Sequence, residues 1–314
     1  MKMRAKIAFG LALAVLVSSY FGLAGESENV FLKGGVLPRP VLNIAHAGAA
    51  SIAPQNTIVA GKKALAAGAD LWGIDVRLSK DGIFVLMHDK TLERTTNVEE
   101  VFPDRAPWEV KDFTLAEIER LDAGSWFLEA DPFGQIEAGN VSAEDQASYV
   151  GEKVPTLREA LLFTVEEGWQ IDIEVKPMDY VPPDKIAEKL VSLLEETGAT
   201  DRAMVSSFDH DILREVKRLN PAIPTAALVI LPLVDPAGYL DELGADAYEP
   251  SPVAFFSKAA EELKRLGFGL YIWTYNDPDQ LERLAGTEGV SGIYTDFPQR
   301  LEPILDRLFG PDEE

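Results

Sequence analysis

The feature that most constrains this chain is a regular alternation of short apolar runs with longer helix-like stretches, beginning at about residue 41. The runs at 41–45, 71–76 and 169–176 are rich in Val, Ile and Leu and have the length of buried strands. Eight strand candidates with helices between most of them are typical of an α/β protein with a parallel sheet. Over about 270 residues this pattern predicts a TIM (β/α)8 barrel.

A doubly wound sheet is the alternative interpretation of the same alternation. That fold expects a Gly-rich phosphate-binding turn after its first strand, and Gly48-Ala49-Ala50 matches such a turn poorly. Residues 97–153 interrupt the alternation with prolines, glycines and acidic residues, and the stretch is too long for a simple connection. We therefore expect a barrel over 41–314, with an inserted segment at about 97–153 near the barrel mouth.

The N-terminus has the pattern of a secretory signal peptide. Basic residues within the first six positions precede an apolar run over 7–17, and small residues follow at 22–24. This pattern predicts a signal peptide over 1–24, a linker over 25–40 and an exported protein, either periplasmic or extracellular. An uncleaved membrane anchor is the alternative, because the apolar run reaches almost to Leu23.

Composition excludes several classes of partner and ligand. The formal net charge of −23 argues against binding to nucleic acid or to an anionic lipid surface. The chain has no cysteine, so it has neither disulfides nor thiolate metal ligands. A hydrophobic content of 46% supports a packed core rather than disorder.

Two of the three histidines follow apolar runs. His46 comes directly after the run at 41–45, and His88 comes directly after the run at 83–87. The loops that follow the strands of a TIM barrel carry its catalytic groups, and an imidazole exchanges protons near neutral pH. The pair therefore predicts a general acid–base site, with two packed core histidines as the alternative.

Carboxylates and a lysine at other strand ends extend this candidate site. Asp75 ends a buried run and needs a cation there, because an unpaired buried carboxylate is costly. Glu174 and Lys176 share one face of their strand by the two-residue period, and a buried ion pair is the structural alternative. Asp172 lies on that face one layer deeper. If the two runs are the second and fourth barrel strands, Asp172 projects toward the space left by Gly73, unless it is a solvent-bridged or lysine-paired acid.

Three further side chains are candidates for substrate contacts. Phe208 and Trp273 end later strands, where they either form an apolar wall for a glycerol or lipid moiety or pack in the core. Arg94 follows His88 closely and is a candidate phosphate ligand.

These positions and the motifs around them resemble the glycerophosphodiester phosphodiesterase family over about residues 41–309. The resemblance depends on the order and spacing of many short motifs rather than on any single one. They include Ala45-His46-Ala47-Gly48, Pro54-Gln55-Asn56-Thr57, Asp75-Val76-Arg77-Leu78, Met87-His88-Asp89, Ile173-Glu174-Val175-Lys176, Trp273-Thr274-Tyr275-Asn276-Asp277 and Thr295-Asp296-Phe297-Pro298.

The resemblance implies metal-dependent hydrolysis of glycerophosphodiesters to glycerol 3-phosphate and an alcohol, on a TIM barrel. The substrate would be a small-molecule phosphodiester, and no protein partner is implied. His46 and His88 match the general base and acid of the family. Asp75 and Glu174 match metal ligands, for Mg²⁺ or Ca²⁺, with Asp172 as a candidate third ligand. Lys176 matches the lysine that contacts the phosphate.

Three positions depart from the family pattern. Ala47 stands where the family has Arg, Gln55 where it has Glu, and Gly73 where it has a metal-binding Glu. A catalytically impaired member that binds phosphodiesters is therefore an alternative, as is a related lipid phosphodiesterase.

Overall fold

The computed structural model describes residues 29–310 and confirms the predicted TIM barrel. Eight parallel strands of this part close into a ring, because the first strand pairs with both the second and the last. The strands are short, largely buried runs, as expected where helices cover a parallel sheet. Residues 29–310 contain nine strands: β1 (Leu42–His46), β2 (Leu71–Leu78), β3 (Phe84–Leu86), β4 (Gln170–Val175), β5 (Ala203–Ser207), β6 (Thr225–Val229), β7 (Ala247–Pro250), β8 (Gly269–Ile272) and β9 (Gly292–Thr295).

One of the nine strands lies outside the ring. β3 follows a turn at Gly82 and pairs antiparallel with β2. β4 is therefore the direct barrel neighbour of β2, with Gly73 opposite Asp172 and Asp75 opposite Glu174. The two runs are therefore the second and third strands of the barrel, not its second and fourth, because the chain folds back on β2 before it crosses over to β4.

Helices cover the outside of the ring. Their starts are encoded locally, as in α6, where Thr156 and Glu159 form a reciprocal capping box. The described helices are α1 (Ile58–Ala66), α2 (Val98–Val101), α3 (Leu115–Ile118), α4 (Ser125–Ala130), α5 (Ala143–Tyr149), α6 (Leu157–Glu166), α7 (Pro183–Thr197), α8 (His210–Leu219), α9 (Pro236–Leu243), α10 (Ser257–Arg265), α11 (Pro278–Ala285) and α12 (Pro298–Phe309), with 3-10 turns at Pro103–Arg105 and Val110–Asp112.

The main core lies between the ring and the helices. Trp72 of β2 is fully buried and stacks on Trp169 with ring centroids 5.9 Å apart. Loss of one such buried aromatic side chain costs about 3–5 kcal/mol. Inside the ring, Ile44, Met204 and Tyr271 belong to a separate apolar cluster. A cavity lies at the carboxyl ends of the strands, and the candidate site lies there.

The segment predicted as an insertion, 97–153, folds into short helices and turns beside β3. Phe113 and Leu121 pack with Val85 of β3 in a cluster of their own. Tyr149 ties the end of the segment to the barrel, because its hydroxyl donates to the carbonyl of Ile52 at 2.7 Å. The assignment of this segment as an insertion stays a prediction.

The described part of the N-terminal segment lies against the barrel. Phe31 is buried and meets Tyr271 edge to face, and Arg39 binds Asp70 and Glu302. The predicted signal peptide lies outside the described residues, so export stays a prediction. Among residues 29–310, no helix has both the length and the apolar character needed to cross a bilayer.

Candidate active site

The loop after β1 presents His46 at the carboxyl end of the barrel. Ala47 has φ of +52° and Gly48 has φ of +82°, so the chain leaves the strand through two left-handed residues. A Cβ atom at position 48 would lie 2.7 Å from the Cβ of Ala60, which only glycine avoids. The sharp turn keeps His46 at the mouth, where its ring lines a cavity.

His46 is oriented by the carboxylate of Asp296, which follows β9. His46 Nδ1 lies 2.8 Å from Asp296 Oδ1, and Asn276 Nδ2 donates to Asp296 Oδ2 at 2.6 Å. Burial alone lowers the pKa of His46, but the hydrogen bond and charge of Asp296 outweigh burial and raise the pKa above its usual value. The contact at Nδ1 leaves Nε2 as the nitrogen that can serve a substrate.

His88 has a carboxylate partner that it shares with an arginine. His88 Nδ1 lies 2.7 Å from Asp89 Oδ1, and Arg94 contacts both oxygens of Asp89, at 2.5 and 3.2 Å. Arg94 also donates to Gln55 Oε1 at 3.1 Å. The hydrogen bond from His88 and the Arg94 guanidinium hold the pKa of Asp89 well below its usual range. Arg94 does not line the cavity, and its predicted contact with phosphate stays a prediction.

Lys176 joins the two carboxylates that were predicted to hold a metal. Its Nζ lies 2.8 Å from Asp75 Oδ1 and 2.5 Å from Glu174 Oε1. Asn56 fixes Asp75 from the other side, donating from Nδ2 at 2.7 Å and accepting from the Asp75 backbone N–H at 3.0 Å. Burial disfavours the charged form of Asp75, but Lys176 and both histidines outweigh it and hold its pKa well below the usual range.

A second acidic pair lies one layer deeper and shares a tyrosine. The hydroxyl of Tyr294 lies 2.9 Å from both Asp172 Oδ2 and Glu249 Oε1, and Ser206 Oγ donates to Asp172 at 2.8 Å. A hydroxyl has one proton to donate, so only one of the two carboxylates accepts from Tyr294 at a time. Burial, opposed by the hydrogen bonds from Ser206 and Tyr294, raises the pKa of Asp172 to about 7. Burial also raises the pKa of Glu249.

These groups surround a cavity of about 190 Å³ at the carboxyl end of the barrel. The rings of Phe208 and Trp273 meet edge to face at 5.8 Å, and Trp273 Nε1 donates to the carbonyl of Glu249 at 2.8 Å. A larger groove of about 890 Å³ lies at the opposite end, but it is lined by no histidine. The smaller cavity is therefore the candidate site. It is lined by His46, His88, Asp172, Glu174, Lys176, Ser206, Phe208, Leu228, Glu249, Trp273, Thr274 and Tyr294.

The side chains do not fit the divalent metal centre that the family resemblance implies. Within residues 29–310, no group of three or more His, Asp or Glu side chains is arranged to hold an ion. Asp75 and Glu174 are both bound to Lys176, and position 73 supplies no side chain. Asp172 accepts its hydrogen bonds from a serine and a tyrosine instead.

The structure brings together most of the residues that the sequence singled out. Both histidines, Asp172, Glu174, Lys176, Phe208 and Trp273 line one cavity, and Asp75 contacts Lys176. Sequence reasoning missed the roles of Asn56, Ser206, Glu249, Tyr294 and Asp296. For Glu249 a signal exists, because a carboxylate at the end of a buried run needs a partner just as Asp75 does.

The fold and the cavity together define a TIM-barrel protein with two histidines, a lysine and several carboxylates around a cavity at the carboxyl ends of its strands. A model of the Glycerophosphoryl diester phosphodiesterase family matches residues 46–300, and the chain belongs to that family.

Relatives of known sequence and structure agree with this assignment. A Glycerophosphodiester phosphodiesterase of Caldanaerobacter subterraneus subsp. tengcongensis is 36% identical over 262 residues, covering 83% of this chain and 96% of the relative. Another, of Bacillus subtilis (strain 168), is 32% identical over 308 residues, covering 94% and 97%. A solved phosphodiesterase of Oleispira antarctica, in complex with the product sn-glycerol-3-phosphate, has a TM-score of 0.72 and 27% identity, with 85% and 97% coverage.

Proposed function

We propose that the protein hydrolyses glycerophosphodiesters to glycerol 3-phosphate and an alcohol, with His46 and His88 as the acid–base pair. The observation that carries this proposal is the geometry of the two rings. Both line one cavity, and both have Nδ1 bound to a carboxylate, which leaves Nε2 for the substrate. The ammonium of Lys176 lines the same cavity and attracts the phosphoryl oxygens.

The two carboxylate partners support different roles for the two histidines. Among residues 29–310, Asp296 forms its ion pair with His46 and shares that charge with no second cation, so protonated His46 is well stabilised and suits the role of proton donor. Asp89 is shared between His88 and Arg94, which leaves less negative charge for His88. His88 therefore suits the role of proton acceptor.

The reaction then needs one water molecule. His88 takes a proton from the water as its oxygen attacks phosphorus, and the bond between phosphorus and the alcohol oxygen breaks. His46 gives its proton to that oxygen. A return of the proton from His88 to His46 through solvent resets the pair. If a neighbouring glycerol hydroxyl attacks instead of water, the product is a cyclic phosphate.

Dependence of the reaction on Mg²⁺ or Ca²⁺ stays a prediction. The test of the proposed function is an assay of the purified protein on glycerophosphocholine and on an artificial phosphodiester, with added Mg²⁺, Ca²⁺ or Mn²⁺ and with chelator. Release of glycerol 3-phosphate from glycerophosphocholine, and of the leaving alcohol from the artificial phosphodiester, is the expected result. Binding of glycerol 3-phosphate without turnover would identify an impaired family member instead, which the departures at Ala47, Gln55 and Gly73 keep as an alternative.

A second candidate function, cleavage of a lipid phosphodiester, is favoured by the apolar side of the mouth. The loops after β6 and β7 expose large apolar side chains, and Ser251 ties these loops together by donating to the carbonyl of Ile230 at 2.7 Å. A cluster of exposed apolar side chains marks a binding surface more often than scattered ones do. We call these five residues the apolar rim: Ile230, Leu231, Val234, Val253 and Phe256.

The apolar rim continues the wall of the cavity, because Leu228 of β6 lines the cavity and lies two residues before Ile230, the first residue of the rim. A monoacyl glycerophosphodiester placed with its phosphate at Lys176 would have its acyl chain beside this wall. The test compares turnover of a lysophospholipid with that of its deacylated counterpart at equal concentrations. A higher kcat/KM for the acylated substrate is expected, and an equal or lower one would leave the water-soluble substrates as the better choice.

A further inference from the structure

We infer that the ammonium of Lys176 supplies the fixed positive charge of this site in place of a divalent metal ion. Its Nζ lies between the two carboxylates that match metal ligands, at 2.8 Å from Asp75 and 2.5 Å from Glu174. The same ammonium lines the cavity. It is therefore placed to meet a phosphoryl oxygen through a charge-assisted hydrogen bond.

A metal ion and Lys176 would compete for the same two carboxylates. Lys176 is only 7% exposed, so its charge depends on Asp75 and Glu174 for compensation. An ion that took both carboxylates would leave a buried ammonium without a counter-charge, which is strongly unfavourable. The site therefore favours a single cation, and that cation is the ammonium of Lys176.

The space for a third carboxylate from β2 is filled by an aromatic ring. A Cβ atom at Gly73 would lie 2.9 Å from Cε1 of Tyr294, and Tyr294 is itself buried. Its hydroxyl is held by Asp172 and Glu249 at 2.9 Å each, which fixes the ring in place. Tyr294 therefore occupies the space that a side chain at position 73 would need.

Each of the two deeper carboxylates is engaged through one of its oxygens. Asp172 Oδ2 accepts from Ser206 and Tyr294, and Glu249 Oε1 shares the Tyr294 hydroxyl. Tyr294 thus fills the gap and holds both acids. With glycine at position 73, β2 supplies no metal ligand there. The ring of Tyr294 fills the space and keeps the barrel interior packed.

The first experiment is calorimetric titration of the purified protein with MgCl₂, CaCl₂ and MnCl₂ after treatment with chelator. We expect no saturable binding at millimolar ion, and the same thermal unfolding midpoint with ion as with chelator. Saturable binding that Asp75→Asn abolishes would overturn the inference. If Asp172→Asn abolishes it as well, the third ligand comes from β4, as the sequence predicted.

The second experiment rebuilds the missing ligand. In Gly73→Glu/Tyr294→Leu, the smaller side chain at 294 makes room for a carboxylate at 73. We expect this double variant to gain saturable ion binding and an ion-dependent rise in unfolding midpoint. Tyr294→Leu alone is the matched control, because it opens the space without adding a carboxylate, and it should gain neither. If the double variant does not fold, titration of the unaltered protein still decides the question.

The third experiment tests the ammonium of Lys176 by measuring ligand binding, so it does not require catalytic turnover. The role of Lys176 in binding phosphate rests on the proposed function. Binding of glycerol 3-phosphate to the chelator-treated protein is measured by calorimetry for the unaltered protein, Lys176→Met and Lys176→Arg. Loss of one charge-assisted hydrogen bond weakens binding roughly tenfold or more. We expect that loss in Lys176→Met and partial rescue in Lys176→Arg. Unchanged affinity in a folded Lys176→Met protein would show that the ammonium does not bind the phosphate, whether or not the protein is an enzyme.

Discussion

The two sides of the barrel mouth differ in chemistry. The side built from β1 to β4 carries titratable and charged groups, among them His46, His88 and Lys176, each bound to a carboxylate. The side built from β5 to β8 presents Phe208 and Trp273 to the cavity, and these two rings pack on each other. On the proposed function, proton transfer and recognition of the glycerol or acyl moiety therefore belong to different strands. Changes on one side should therefore alter kcat, and changes on the other should alter substrate preference.

The largest expected effect comes from removing an imidazole on the charged side. His46→Ala and His88→Ala should each lower kcat by roughly 10²- to 10⁴-fold, the usual size of general acid–base catalysis. Steady-state kinetics on glycerophosphocholine measures this effect, and thermal unfolding checks that the fold is intact.

The third histidine provides a matched control. His210 bonds to the hydroxyl of Tyr239 at 2.6 Å and to the carbonyl of Leu228 at 3.0 Å, and it does not line the cavity. His210→Ala should keep kcat close to that of the unaltered protein. Equal losses of kcat in all three variants would show that the two histidines of the charged side have no special role in catalysis.

A smaller effect is expected from Asp296→Asn, which keeps the shape next to His46 and removes the charge. Since Asp296 raises the pKa of His46, its loss lowers that pKa and the protonated fraction of a proton donor. A fall of one unit corresponds to a roughly tenfold loss of rate above the pKa. The kcat/KM profile of the variant against pH should also decline at lower pH than that of the unaltered protein. An unshifted profile would mean that His46 is not the donor.

The fold was predictable because each barrel strand is a local, apolar run. The exception is β3, whose composition resembles that of a barrel strand but which returns antiparallel through the turn at Gly82. Composition does not reveal pairing direction, because both kinds of strand are buried here. Helix α9 is difficult to predict from the sequence, because it is short and begins with Pro236-Ala237-Gly238, which is more typical of a turn.

The site residues that could be predicted from the sequence are those that lie at the end of a strand. His46, Glu174 and Lys176 follow or end apolar runs, and the structure brings them to one cavity. The contact of Tyr294 with Gly73 was not predictable, because it depends on the close approach of two barrel strands far apart in sequence. Such contacts arise from the register of the closed barrel, which a linear pattern does not contain.

The charged side should also make stability depend on pH. The folded-state pKa of His46 is raised, so the His46–Asp296 pair stabilises the fold fully at pH values below the unfolded pKa of about 6.5. That contribution is lost as the pH rises through the higher folded-state pKa. Chemical unfolding at a series of pH values should show that Asp296→Asn destabilises the protein more at acidic than at alkaline pH. A difference that is constant with pH would assign the effect to packing.

The smallest expected effect lies on the apolar side, where single surface residues are changed. Val253 of the apolar rim is 65% exposed, and Val36, at the opposite end of the barrel, is 85% exposed. Burying one such side chain against an acyl chain contributes about 1 kcal/mol, or roughly fivefold in KM. Val253→Ser should therefore raise KM for a lysophospholipid by that factor, without changing KM for glycerophosphocholine. Val36→Ser makes the same chemical change away from the site and should alter neither constant. Equal effects of the two variants on the lipid substrate would count against acyl-chain binding at the apolar rim, because the loss would then not depend on where the valine lies.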